Sequence, residues 1–233
     1  MQGEPTQAMA ESPGAVRDRI ARRAQTRREK WVDLVIHAIG VPAGIAGAVV
    51  LIAITALGGS ALAVVSVVLY GIGLIAMLTG SAVYNIVEHP MRKDIMRRVD
   101  HAGIFVMIAG TYTPFTLIGV GGWLGGLYCA AMWLAAAAGM VLKLGWPRRF
   151  ERLGIGLYLV MGWSVLAVVP VLAERLGATV LWLLLTGGIL YTAGVGFHLA
   201  RRLPFHNPIW HAFVLLAAST HYVAVLESVA GSG

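Results

Sequence analysis

Charged side chains are scarce in this sequence. They make up 12% of the 233 residues, and apolar residues make up 58%, whereas a soluble domain carries about 25% charge. The chain also has a single cysteine, Cys129, which excludes a disulfide within the chain. The lack of charge argues against an ordinary soluble domain and indicates a protein that crosses a membrane several times.

Long apolar runs fill most of the chain, and a membrane-spanning helix needs about 20 mostly apolar residues. The sequence therefore predicts an all-α fold, a seven-transmembrane helix bundle. We place the spans at about residues 31–57, 61–86, 101–120, 122–143, 154–173, 178–200 and 208–229. The break at Gly121 and Gly122 carries no charge, and Gly110–Pro114 predicts a kink in span three whose hydroxyls satisfy the freed backbone groups.

Basic residues are unevenly distributed over the predicted connections. Of the 18 Lys and Arg residues, only Arg175 lies outside one set of alternate connections. Because Lys and Arg accumulate on the cytoplasmic side, we expect a cytoplasmic N-terminus and an outer C-terminus. The chain then divides into a polar basic cytoplasmic tail (1–30), a transmembrane domain (31–229) and a short outer tail (230–233).

This topology also bears on partners and location. It explains the net charge of +7 better than nucleic-acid binding does, so the partners that we expect are membrane lipids. The abundant Ala, Gly, Val and Arg suit a bacterial inner membrane, and the sequence names no protein partner.

Polar side chains inside the spans are costly in hydrocarbon, so their positions indicate function. Ser81 and Asn85 lie one turn apart on span two, and Asp100 precedes span three. His37 in span one and His211 in span seven fall at the same predicted depth. Serine, amide, carboxylate and imidazole groups from four helices at one level predict a site between the helices.

Other polar residues fit a structural role as well as a functional one. Asn207 precedes Pro208, a pair typical of a helix start, so it suits a cap. His221 lies ten residues beyond His211, about 15 Å deeper, and fits a buried, hydrogen-bonded histidine. His89 fits an ordinary group at the membrane interface.

Three sequence blocks are long enough to compare with known families: SAVYN at 81–85, RRVDHAGIFVMIAGTYTPF at 97–115 and PFHNPIWHAFVLLAASTHY at 204–222. They resemble the progestin and adipoQ receptor (PAQR) family, specifically its bacterial hemolysin III branch, from about residue 31 onward. The resemblance implies a seven-helix bundle with a zinc site near the cytoplasmic face. It also implies kinship with membrane hydrolases similar to alkaline ceramidases.

The resemblance carries site roles to particular positions. Ser81 and Asp100 match positions that the family uses in catalysis, and His211 matches a metal ligand. Asn85 and Asn207 stand where the family pattern has its other two metal-binding histidines. An amide oxygen is a weaker ligand for zinc than an imidazole nitrogen, so these two positions decide whether zinc binds.

Three outcomes follow from the two asparagines. The site is metal-free and held by hydrogen bonds, it is rebuilt with His89 or His206, or it holds a harder ion through Asp100 and the amides. A bound metal would suit a lipid amide hydrolase, and a metal-free core would suit a membrane regulator or lipid sensor. A pore-forming haemolysin is disfavoured, because spans four and five are nearly devoid of charge.

Overall fold

The fold is a bundle of helices. A computed structural model describes residues 25–146 and 149–230, so most of the predicted N-terminal tail and the last three residues lie outside it. The α-helices of the described part are α1 (Arg27–Gly58), α2 (Ala61–Ile86), α3 (Pro90–Pro114), α4 (Gly122–Gly145), α5 (Glu151–Trp163), α6 (Val169–Arg175), α7 (Ala178–Leu199) and α8 (His206–Ala230).

Six spans in the described residues are each long and apolar enough to cross a membrane, and the bent pair of α5 and α6 makes a seventh when it is counted as one span. The prediction of an all-helical, seven-span membrane protein is therefore confirmed. The fifth span is not continuous, since its two helices meet at 53° after a 3-10 turn at Ser164–Ala167. Pro170 lies in the first turn of α6, where proline is tolerated because the N–H group that it lacks would have no partner within the helix.

Helix α3 begins earlier than the prediction of residue 101. His89 is the N-cap residue, and Pro90 follows it in the first turn. The first turn is a position that suits proline. Within the charged segment, Arg98 donates to the Asp94 carboxylate at 2.9 Å one turn away. Such pairs stabilise an exposed helix, and consequently Asp100 lies in the third turn of α3 and not at its start.

The helix changes from α to π geometry after the C-terminal end of α3, next to the predicted kink. Phe115–Val120 continues the helix beyond Pro114 as a π-helix. Thr113 donates its hydroxyl to the Ala109 carbonyl at 2.8 Å, which is one residue before the Gly110 carbonyl that Pro114 leaves without its helical donor. Gly121 then turns the chain into α4 with a φ of 64°, a conformation that favours glycine.

The connections predicted to lie on one side of the membrane contact one another. Lys30 before span one pairs with Glu88 after span two at 3.2 Å. Glu151 accepts from Arg97 at 2.9 Å and from Arg201 at 3.2 Å. These contacts agree with the assignment of alternate connections to the same side of the membrane. Which side faces the cytoplasm stays a prediction.

That direction can be tested by cysteine labelling in intact cells. We expect Arg92→Cys in a Cys129→Ala background to react with a permeant maleimide only, because the 88–100 segment faces the cytoplasm. Glu174→Cys, at the opposite connection, is expected to react with an impermeant maleimide as well. Both positions are exposed, and the reverse pattern would overturn the predicted direction.

A single carboxylate joins the first and last helices. The Thr26 hydroxyl accepts from the Glu29 backbone N–H, and the Glu29 carboxylate accepts from the Thr26 backbone N–H at 2.6 Å, which is a capping box for α1. The same carboxylate accepts the Phe205 backbone N–H at 2.6 Å. Phe205 has a φ of 58°, an uncommon conformation for a residue with a side chain, just before α8.

Candidate functional site

Three ionisable side chains converge between α1 and α8. Asp33 and His37 lie one turn apart on α1, and both are buried together with His211 of α8. The Asp33 carboxylate lies 2.5 Å from His211 Nδ1 and 3.8 Å from His37 Nε2. The two imidazole ring centres are 4.7 Å apart, so one carboxylate contacts both histidines.

Ser81 of α2 completes a chain of contacts through His211. Its hydroxyl lies 3.3 Å from His211 Nε2. Because His211 Nδ1 contacts the Asp33 carboxylate, we assign the ring proton to Nδ1. Nε2 is then an acceptor, and the Ser81 hydroxyl donates to it.

The two asparagines contact each other and the histidines. Asn85 Nδ2 donates to the Ser81 backbone carbonyl at 2.9 Å and lies 3.3 Å from His37 Nε2. Asn207 Nδ2 donates to Asn85 Oδ1 at 3.4 Å. Helix α8 begins at His206, so Asn207 lies inside the first turn and is not the N-cap residue. Both amides therefore support the site by hydrogen bonding.

Asp100 of α3 faces the same group of side chains. Its carboxylate interacts with the Ser81 hydroxyl and with His211, and its backbone packs against Gly80. A cavity of about 290 Å³ is lined by Ser81, Asp100, His37 and His211 among others. We call the seven residues of this site the polar cluster: Asp33, His37, Ser81, Asn85, Asp100, Asn207 and His211.

The other candidate residues from the sequence lie outside the polar cluster. His89 is exposed at the N-terminus of α3. His206 lines the cavity together with His211. His221 lies deeper in α8 and is half-buried, with its Nε2 3.3 Å from the Leu184 carbonyl, so the expected hydrogen bond is present.

The polar cluster offers a donor set that suits zinc. Asp33, His37 and His211 each place one ligand atom within 4.8 Å of the others. Two imidazoles and one carboxylate with an open fourth position are a known catalytic zinc set. Because this set comes from α1 and α8, it does not need the Asn85 and Asn207 amides as ligands.

Asp33 lies four residues before His37 in the sequence, one helical turn away, but this spacing alone assigns it no role in the site. The contact with His211 joins residues 178 positions apart, which a periodic pattern on one helix cannot reveal. The signal that could have found it is the buried charge itself. A carboxylate facing the interior of a span is too costly to lack a partner.

Comparisons with known proteins agree with this architecture. The family described as "Haemolysin-III related" matches residues 25–222. "Hemolysin-3 homolog" of Bacillus subtilis (strain 168) is 39% identical over 202 residues, covering 86% of this chain and 94% of the relative. "Hemolysin-3" of Bacillus cereus is 34% identical over 209 residues, covering 90% and 95%.

A human protein is also similar. "Monocyte to macrophage differentiation factor" of Homo sapiens is 32% identical over 165 residues, covering 67% of each chain. The family match takes in α1 with Asp33 and His37 as well as His211 on α8. This chain is therefore an integral, multi-pass membrane protein of the hemolysin III family.

Proposed function

We propose that the chain is a metal-dependent hydrolase that cleaves lipid amides at the polar cluster. The observation that carries the proposal is the convergence of Asp33, His37 and His211 within 4.8 Å, beside a cavity that Ser81 and Asp100 also line. A zinc ion held by the three residues would polarise a carbonyl group and lower the pKa of a bound water. The family's resemblance to ceramidase-like hydrolases supports the amide class.

The other residues of the polar cluster have roles that follow from their contacts. Asp33 Oδ1 fixes the His211 ring through Nδ1 at 2.5 Å, so His211 would hold the ion through Nε2 and Asp33 through Oδ2, and the Ser81 hydroxyl would be released from His211. Asp100 can accept a proton from a water molecule in the cavity, because its side chain lines that space. The Ser81 hydroxyl can donate a hydrogen bond to the negative oxygen that develops on the substrate carbonyl. With the predicted topology, substrate enters from the inner leaflet.

A second candidate is a metal-free regulator or lipid sensor. The observation that favours it is that side chains of the polar cluster form hydrogen bonds with one another. The Asn207, Asn85 and Ser81 side chains each have a partner within the cluster. A fully satisfied polar network stabilises a unique helix arrangement by itself.

Metal content and fatty acid release separate the two candidates. For the hydrolase, we expect the protein purified in neutral detergent to retain about one zinc per chain by elemental analysis, because the site supplies three ligands. We also expect it to release oleate from N-oleoyl sphingosine, measured by mass spectrometry. An active ceramidase serves as the positive control for the assay.

Two variants make the result specific. Ser81→Ala is expected to keep the zinc and lower kcat by about 100-fold, the usual loss for one donor to a developing oxyanion. Arg152→Met, an exposed position, is expected to match the unaltered protein in both measurements. Protein that holds no metal and releases no oleate after zinc is supplied would contradict the hydrolase and favour the regulator.

A further inference from the structure

A group of basic side chains lines the cavity away from the polar cluster. Arg97, Lys143 and Arg201 come from α3, α4 and the segment after α7, and all three line the same 290 Å³ cavity as His211. We call these three residues the basic wall. Glu151 accepts from both arginines, at 2.9 Å and 3.2 Å. Arg97 also lies 3.9 Å from the Asp94 carboxylate, so the two arginines are paired with carboxylates and Lys143 supplies the excess positive charge of the basic wall.

Lys143 is the least compensated of the three cations. Lys143 is 2% exposed. Among the ion pairs of the described residues, Glu151 pairs with Arg97 and Arg201 and not with Lys143. The Lys143 ammonium instead lies 6.0 Å from the centre of the Tyr158 ring. A buried charge is stable only when it is paired, so this ammonium is suited to an anion that arrives from outside the chain.

Gly154 of α5 leaves space for the Lys143 side chain. A Cβ atom at Gly154 would lie 2.2 Å from Lys143 Cε and 2.3 Å from Nζ. Because Gly154 has no side chain, it leaves the space beside α5 that the ammonium occupies. Any larger residue there must displace it.

A further donor faces the same cavity without a partner. His198 lines the cavity, and its buried Nδ1 has no hydrogen-bond partner among the described residues. Its ring packs at 5.2 Å from Trp210, which fixes its orientation. A buried polar atom of this kind costs free energy unless a ligand or water pairs with it.

The cavity continues into apolar space. A second cavity of about 440 Å³ shares Met77, Tyr158, Tyr191 and Trp210 with the first. The ammonium and the two guanidinium groups of the basic wall can all donate to phosphate oxygens, which suits a phosphate monoester, a group that carries about −1.5 to −2 at pH 7. The adjoining apolar space matches an alkyl chain.

We propose that the basic wall binds the phosphate monoester of a single-chain lipid, with Lys143 as its main cationic contact. Such a ligand places its phosphate between Lys143 and the arginines and its chain in the 440 Å³ cavity. The inference concerns binding, and it holds whether or not the polar cluster hydrolyses amides.

Binding can be measured with the full chain purified in neutral maltoside detergent. The probe is 1-oleoyl lysophosphatidate, the control ligand is mono-oleoylglycerol with the same chain, and inorganic phosphate is the competitor. We expect lysophosphatidate to bind at least about tenfold more tightly than mono-oleoylglycerol, because a charge-assisted hydrogen bond is worth at least that factor. Competition by millimolar phosphate would support the same site with free phosphate as its source.

Variants identify the contact. Lys143→Met is expected to weaken lysophosphatidate binding by about tenfold while leaving mono-oleoylglycerol and the unfolding midpoint without ligand unchanged. Should that variant fail to fold, Gly154→Ala keeps the charge but displaces the ammonium, and it should weaken binding too. The matched control Arg152→Met, exposed beside Glu151, should bind as the unaltered protein does.

The outcomes also separate this inference from the hydrolase. His211→Ala is expected to lose the metal and keep lysophosphatidate binding, since His211 belongs to the polar cluster. Equal binding of the acidic and neutral lipids would overturn the inference. So would unchanged lysophosphatidate binding in folded Lys143→Met.

Discussion

Replacing Asp33 with alanine is expected to abolish metal retention and oleate release. Asp33 is 3% exposed, it is the carboxylate of the three candidate ligands, and it contacts both imidazoles. The change removes one ligand and also the group that orients His211. Loss of an orienting partner alone typically lowers metal affinity by 10–100-fold, so removal of a ligand as well should leave no zinc after dialysis.

Asp33→Asn separates charge from hydrogen bonding in this test. The amide keeps the size of the carboxylate and one acceptor oxygen, but it is a poor zinc ligand. We expect this variant to remain folded in detergent and to lose the metal, measured by elemental analysis after chelation and reloading. Glu174→Gln, an exposed carboxyl position in α6, is the control. Stoichiometric zinc in Asp33→Ala would exclude Asp33 as a ligand.

Replacing Gly73 with leucine is expected to give the largest loss of stability. A Cβ atom at Gly73 of α2 would lie 2.9 Å from the Val106 carbonyl oxygen and 3.0 Å from Met107 Cα of α3. These are backbone atoms, so α2 and α3 must separate to make room. We expect a loss of about 3 kcal/mol, the upper end of the usual cost of overpacking.

The matched control is Gly126→Leu in α4, because a Cβ atom there meets nothing within 4 Å. Both changes replace a glycine within a helix, so the change in helix propensity is similar. The unfolding midpoint in detergent measures the difference. Equal midpoints for the two variants would contradict close contact between the α2 and α3 backbones.

The seven spans were predictable because hydropathy and charge report directly on contact with lipid and water. The polar faces of spans two and seven were predictable for the same reason. Ser81 and His211 fall in one site because the alternation of spans brings their ends to the same depth. Their 3.3 Å contact agrees with that inference.

The parts that were not predictable depend on contacts between distant residues. One of the three expected outcomes rebuilt the donor set with His89 or His206, whereas the candidate set in the structure joins Asp33 and His37 of α1 to His211. The choice follows from how α1 packs on α8, which no local pattern encodes. The bend between α5 and α6 was missed because apolar length alone does not distinguish a straight span from a broken one.

The Glu29 carboxylate accepts hydrogen bonds from both Thr26 and Phe205. It therefore fixes the position of α1 along its axis relative to α8. A helix that slips by one residue moves by about 1.5 Å, which would break a 2.5 Å contact such as Asp33 to His211. Hydropathy alone starts the first span at residue 31, five residues after the cap that fixes this register. A chain shortened to the apolar boundary would keep every span and lose the alignment of Asp33 with His211.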